Sequence, residues 1–452
     1  MEGHMKDMTQ GKPGSLIIRF ALPLMAGNVF QQLYTVVDTM VVGKSLGVPA
    51  LAALGAADWM NWMMLGMIQG IAQGFGILMA QEFGAKQYDK LRRVIASSSF
   101  LAVVCALFLA LAGQAAIHPV LDLLMTPSDI LPDTVLYLRI MFLGVPIVMA
   151  YNLFACILRS LGDGRTPLHA MVVASLTNIV LDLLFVIGFR WGIAGAAAAT
   201  LIAQLTSGLY CLRYLQKIDI LKLSRADFTL QGRLCGKLLY LGFPLAFQNF
   251  IISVGGMIIQ SVVNGFGVVF IAGYTATNKL YGLLEIAATS YGYAMITYVG
   301  QNLGAGKGKR IRQGMRSAAV IALATSIAIA SVMLLFGKPI LSAFISGTPE
   351  ETEAAMKVAY LYLMIMSACL PILYILHVTR AAIQGMGNTL LPMLSGVMEF
   401  VMRTSAALFL PLVIGKMGVY LAEVAAWAGA DLVLVTSYLL LARKLSDEPP
   451  VT

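Results

Sequence analysis

Long apolar runs separated by short polar clusters follow one another along the whole chain. Runs of about 20 residues or more, enough for a helix to cross roughly 30 Å of hydrocarbon, lie near 16–42, 48–80, 94–117, 134–158, 168–189, 192–214, 238–265, 268–300, 315–337, 357–380, 389–414 and 417–442. The pattern predicts an all-α integral membrane protein with twelve transmembrane helices. The longest connection, around Gln216 to Lys237, has about 20 residues, so no loop houses a separate soluble domain. The chain opens Met-Glu-Gly-His-Met-Lys-Asp, without the basic head and cleavage site of a signal peptide, so the first run is expected to be kept as a helix.

Composition agrees with a bilayer solvent. Of 452 residues, 59% are hydrophobic and 12% charged, about half the roughly 25% of a soluble domain. The net charge of +9 would suggest nucleic acid in a soluble protein; here its placement points elsewhere. Twenty-three of the 31 Lys and Arg fall on the side of the termini, among them Lys86, Lys90, Arg92 and Arg93, and Lys307 to Arg316. Lys44, Arg190, Lys338, Lys357 and Lys416 fall opposite, and Arg139, Lys279 and Arg403 lie within spans. By the positive-inside rule, both termini are expected in the cytoplasm and the protein in the cell (inner or plasma) membrane. The five cysteines form no CxxC pair and read as buried small hydrophobes.

The second half echoes the first at an offset of about 220 residues. Phe20-Ala-Leu-Pro23-Leu recurs as Leu241-Gly-Phe-Pro244-Leu, and Gln81-Glu-Phe-Gly84-Ala as Gln301-Asn-Leu-Gly304-Ala. Gly162-Asp-Gly164 recurs as Gly385-Met-Gly387. A repeat of six spans runs in the same direction twice, so two pseudo-symmetric six-helix bundles about an axis along the membrane normal are expected. The predicted organisation is an N-terminal segment 1–15, a bundle 16–214, a cytoplasmic linker 215–237, a second bundle 238–442 and a tail 443–452.

Against this background each acid inside a span needs a reason, because a charged Asp at mid-span costs about 2.5–3.5 kcal/mol on insertion scales. Asp38 lies five residues before Gly43 and Asp182 six before Gly188, both on helices running outward. At 1.5 Å per residue they sit at one depth, roughly 8–9 Å below the outer ends. Tyr34 and Asn178 stand four residues deeper on the same faces, and Thr200 arrives in this layer from span 6. Asn152 in span 4 is a further, deeper candidate. Two acids sharing one site cannot both ionise cheaply, which makes the pair a candidate for taking up and releasing a proton. A static polar network gluing helices is the plainer reading; the lack of a basic partner in that layer weighs against it.

The run from Pro23 to Gly47, with Gln31-Gln-Leu-Tyr34-Thr-Val-Val-Asp38 inside it, continues into the Gln81-Glu-Phe-Gly84-Ala and Arg159-Ser-Leu-Gly162-Asp-Gly164-Arg-Thr-Pro167 loops. It resembles the multidrug and toxic compound extrusion (MATE) transporters over nearly the whole chain. The resemblance implies a V-shaped MATE-like fold and a secondary active multidrug efflux antiporter. Such a protein exports cationic or amphipathic small molecules, drugs or toxic cations, in exchange for H+ or Na+ by alternating access. Acids in the first bundle resemble the DinF-like branch, whose buried ion or proton site matches Tyr34, Asp38, Asn178, Asp182 and Thr200. Asp38 and Asp182 would ligate Na+ only if coupling is to sodium. No acid occupies span 7, where another branch carries a glutamate, so a sodium site in the second bundle is not expected. Gln31, Met171 and Glu285 are candidates for the substrate cavity, and Pro23 and Pro244 for hinges.

Other readings fare less well. There is no GxxxxGK[ST], HExxH or GxSxG, and the histidines His4, His118, His169 and His377 read as isolated, so no enzyme, cofactor or resident metal is expected. An intramembrane aspartyl protease would need a Gly-x-Gly-Asp context that Asp38 and Asp182 lack. The closer alternative is a flippase for lipid-linked oligosaccharides or related lipid precursors of the same superfamily, whose cavities are lined by Arg or Lys; a cationic cargo suits this first bundle better. Glu399 and Arg403, four apart, are expected to pair. Asp58, Glu423 and Asp431 are compatible with cavity lining or interhelical bonding. Beyond the lipid bilayer and the transported molecule no partner is expected, and a monomer suffices.

Overall fold

A computed structural model describes residues 5–229, 231–345 and 348–445. The first four residues and the predicted tail beyond Leu445 lie outside them. Among the described residues the chain forms thirteen α-helices: α1 (Pro13–Leu46), α2 (Val48–Gly84), α3 (Tyr88–Leu123), α4 (Leu131–Leu143), α5 (Val145–Ser160), α6 (Arg165–Asp182), α7 (Ile193–Leu215), α8 (Gly232–Asn264), α9 (Val268–Gly304), α10 (Gly308–Ser342), α11 (Pro349–Gly385), α12 (Leu390–Ile414) and α13 (Met417–Arg443). The protein is an all-helical membrane protein. Apolar side chains at Val103, Leu107, Phe108 and Leu111 of α3, and at Leu408, Phe409, Leu412 and Val413 of α12, are exposed. In water such rows would be a liability; in hydrocarbon they are the expected outer surface.

Ten helices, or eleven if α4 and α5 count as one span, are long and apolar enough to cross a membrane, against the twelve predicted. The twelfth is α9, which has the length at 37 residues but carries Tyr274, Thr277, Asn278, Glu285 and Ser290. Its polar groups are spent on neighbours, not on lipid. Thr277 Oγ1 donates to the Ala359 carbonyl of α11 at 2.8 Å, and Tyr374 Oη of α11 donates to the Leu284 carbonyl at 2.7 Å.

Two predicted straight spans are broken. The fourth bends by 47° between α4 and α5 at Gly144, where Pro146 starts the second helix. Proline is favoured there because the first turn has no use for its missing N–H. The fifth ends as α-helix at Asp182 and continues as a wide π turn over Leu183–Gly188. Phe185 inside it and Phe189 and Trp191 beyond it bring their rings together, with centroids 4.8–6.0 Å apart.

The chain divides into two compact units. One contains Leu22–Phe250 with the N-terminal residues up to Thr9; the other contains Ile251 onward together with Gln10–Ala21. The division of α1 falls beside Pro23, and that of α8 six residues past Pro244. In the first unit α2 meets the first half of α8 backbone to backbone. A Cβ on Gly70 would lie 2.5 Å from the Ala246 nitrogen, and one on Gly74 would collide with Gly242. Small residues permit this approach, which is how helices in a bilayer gain dispersion contact. The connection after α7 is pinned to α3: Arg92 donates to the Ile220 carbonyl at 3.4 Å and lies 3.7 Å from Asp227. The backbone N–H and hydroxyl of Ser224 both donate to Asp227, at 2.7 and 2.8 Å, and hold its carboxyl below the usual range.

A buried acid pair between α1 and α6

Helices α1 and α6 lie side by side in parallel, and their register can be followed. A Cβ on Gly27 would sit 2.8 Å from Met171 Sδ and 3.6 Å from Leu168 Cα. One turn further, Ser175 Oγ donates to the Phe30 carbonyl at 3.4 Å. Contacts at a near-constant offset mean parallel helices, and extending the register by two more turns brings Asp38 opposite Asp182. The two carboxyl groups feel each other's charge, and both act on Tyr34 and on Tyr137 of α4.

The site is short of partners. Asp182 and Asn178 are fully buried, and Asp38 is partly buried. Neither amide atom of Asn178 has a hydrogen-bond partner among the described residues. Within that set, the carboxyl groups of Asp182 and Asp38 are within bonding reach of each other, and both oxygens of Asp182 and Oδ1 of Asp38 reach no other side chain. No ion pair reaches either acid within that set. A buried amide left unmatched beside two acids with no basic partner is costly, since each unmet group forfeits about 1–3 kcal/mol and charged groups more. An arrangement that bad for stability is suited to receiving something else.

The remaining predicted residues fall around this layer in different ways. Tyr34 stands beside Gln31 on α1. Thr200 returns its hydroxyl to the Ala196 carbonyl at 3.1 Å, and Asn152 its amide to the Val148 carbonyl at 2.8 Å. Both spend a donor on their own helix, and neither bonds a carboxylate. Met171 packs on Gly27 of α1, one wall of the contact that sets the register. Tyr137 is the residue the sequence reading missed: an aromatic in an apolar run carries no mark of its role.

Glu285 lies elsewhere, in the second unit, 3.1 Å from His377 Nε2 of α11, so that histidine is not isolated. His118 likewise lies 3.4 Å from Arg139. Nearby, Arg403 Nη2 lies 2.9 Å from Glu399 Oε1, the expected pair, and 2.9 Å from Glu423 Oε2, which resolves Glu423 as an interhelical partner. Arg380, at the predicted end of span 10, is in fact buried inside α11 and bonds Glu399 Oε2 at 2.8 Å. Asp431 keeps Oδ1 buried without a hydrogen-bond partner among the described residues.

The MatE family profile matches residues 23–184 and again 244–408, together well over half of the chain. The chain belongs to the MATE family. Its two matches begin at Pro23 and Pro244, the same two prolines that mark the internal repeat of this MATE protein. It is similar to the probable multidrug resistance protein YpnP of Bacillus subtilis (strain 168), with 32% identity over 68% of each chain. It is also similar to the probable multidrug resistance protein NorM of Thermotoga maritima, with 25% identity over 94% of this chain and 91% of that one. A solved outward-facing structure of a multidrug resistance MATE transporter superposes with a TM-score of 0.90, covering 97% of this chain and 98% of that one at 21% identity. The fold is thus the MATE fold, and the protein is a transporter of that family rather than an enzyme.

Proposed function

We propose that this chain is a secondary active multidrug exporter of the DinF-like kind, which expels cationic or amphipathic small molecules in exchange for H+ or Na+. The observation that carries the reading is the layer in which Asp38 and Asp182 face each other without a basic partner among the described residues, beside the unmatched amide of Asn178. Its donors are oxygens together with one amide nitrogen, and hard cations take oxygen ligands, so either a proton or Na+ suits it. The names of the relatives as multidrug resistance proteins support the substrate class.

The proposed cycle follows from charge. An incoming cation cancels the repulsion between the acids, α1 bends near Pro23, where a helix-interior proline leaves a carbonyl free, and the cavity beside Gln31 and Met171 changes shape. Pro244 is the corresponding hinge in α8. The two bundles exchange access by turns, with both termini in the cytoplasm and the protein working as a monomer.

The test is transport of a fluorescent cation by purified protein in liposomes, with pH and sodium gradients imposed separately. Asp38→Asn and Asp182→Asn are each expected to reduce gradient-driven export about tenfold or more, equivalent to ~1.4 kcal/mol or more in barrier. Full activity in both variants would sink the assignment.

A further inference from the structure

We propose that the first unit binds anionic phospholipid headgroups at its linker end, through Lys90 and Arg93 of α3 and Arg233 and Lys237 of α8, with Phe228 of the linker seated in the adjoining leaflet. The site goes beyond the export reading, and every residue in it belongs to the first unit.

The outer face of α8 grades from charge to hydrocarbon. Arg233, Lys237, Tyr240, Phe243 and Phe247 follow one another at helical spacing, and all five are exposed. Going from the linker into the span, the face passes from two bases through a tyrosine to two stacked phenylalanines, with centroids 6.5 Å apart. Phe243, 68% exposed, needs an apolar solvent, and tyrosine favours the layer between hydrocarbon and headgroups. Lys237 and Arg233 stand one and two turns further out, at the depth of the phosphates. Helix α7 repeats the order as it approaches the linker: Leu205, Leu209 and Tyr210, then Arg213 in its last turn, all exposed.

The linker brings the bases of α3 to the same level. Its two short 3-10 turns, Asp219–Leu221 and Arg225–Phe228, are docked: Ile218 and Leu221 are buried, and Arg92 holds the Ile220 carbonyl. Phe228 closes the second turn with 55% of its surface exposed. An aromatic ring left outside on a docked turn, four residues before a lipid-facing helix, has the leaflet as its apolar cover.

The acids nearby leave the positive charge largely uncancelled. Asp219 pairs with Lys222 at 2.6 Å, Asp89 pairs with Arg92, and Asp227 accepts from Ser224. Glu82, at the end of α2, feels both Lys90 and Lys237, which puts bases of α3 and α8 around one point. Arg93 acts together with Arg92 on Asp227 of the linker. Lys90, Arg93, Arg233 and Lys237 are exposed, and none forms an ion pair among the described residues. Four donor-only cations against one partly buried carboxylate match a phosphodiester, whose oxygens only accept.

The test uses the full chain carrying Phe228→Trp in vesicles of equal parts phosphatidylcholine and phosphatidylglycerol, with the acyl chains of one lipid or the other brominated. Bromine quenches an indole only at close range, and the added indole is read as the difference from the parent chain with its four tryptophans. Brominated phosphatidylglycerol is expected to quench it at least about twofold more than brominated phosphatidylcholine, a preference weakened by high salt and lost on adding Arg233→Gln and Lys237→Gln. Quenching by neither lipid would put position 228 in water, and equal quenching by both would deny any selection for charge; either result overturns the proposal. At matched ionic strength, inorganic phosphate is expected to disturb the preference no more than chloride does, and its abolition by phosphate alone would overturn the lipid in favour of a free anion. If the variants do not fold, the parent chain is measured in neutral detergent. Short-chain phosphatidylglycerol is then expected to raise its unfolding temperature where short-chain phosphatidylcholine does not, and equal effects would overturn the proposal.

Discussion

Arg403 and Asp182 show two opposite fates of a buried charge. Arg403 is matched, with Glu399 and Glu423 at 2.9 Å and the Ile252 carbonyl at 3.4 Å, so its desolvation is offset by bonds. Removing one member strands the others: Arg403→Leu is expected to destabilise the protein by about 3–5 kcal/mol, measurable as a lower unfolding temperature in detergent. Asp182 faces another acid and no base among the described residues, so Asp182→Asn is expected to leave the unfolding temperature unchanged or raise it while export falls. Opposite signs in one assay separate a residue kept for stability from one kept for transport. The contrast also explains what the sequence could disclose. Asp38 and Asp182 stood out because a charge inside an apolar run is conspicuous, and Glu399 with Arg403 because four residues span one helical turn. Arg380 escaped notice because a base at the end of a run is what a cytoplasmic helix end normally looks like. The pairing of His377 with Glu285 joins two helices about ninety positions apart, and no local spacing encodes that.

At the scale of the helix, close packing depends on what is missing. Gly70 and Gly74 of α2 rest on the backbone of α8, and backbone cannot swing aside as a side chain can. Gly74→Ala is therefore expected to cost about 1–3 kcal/mol and lower the unfolding temperature, whereas Gly236→Ala on an open face of the same α8 is expected to be harmless. The helical elements themselves were legible from the apolar runs, with ends displaced by up to eight residues where polar turns extend a helix beyond its apolar run. Their interruptions were less so. Gly144 followed by Pro146 is a readable restart signal that a hydrophobicity scan overrides, since both segments are apolar. The π turn Leu183–Gly188 has no compositional mark, because widening a turn changes hydrogen-bond pairing without changing residue type.

For the molecule as a whole, the repeat detected in weak motifs reappears as two family matches, and its two prolines stand at the start of each. The apolar run read at 268–300 is α9, Val268–Gly304, although its polar residues make it less apolar than the other long helices; a helix surrounded by protein need not be apolar all round. The orientation rests on the distribution of Lys and Arg, and it is open to direct measurement. With a membrane-impermeant maleimide on intact cells, Ser128→Cys, in the exposed acidic loop before α4, is expected to label at once. Ser224→Cys, in the connection pinned by Arg92, is expected to label only after the membrane is breached. The reverse pattern would invert the topology.

The wide turn after Asp182 makes the chain sensitive to its own length there. A π turn holds one residue more than an α turn, so everything beyond it leaves rotated by about 100° relative to an unbroken helix. Phe189 and Trp191 lie beyond the turn and pack against Phe185 inside it. Deleting a single residue between Leu183 and Gly188 would leave the acid where it is and aim the rings at different neighbours. In this stretch it is the count of residues, more than their identity, that a redesigned chain would have to preserve.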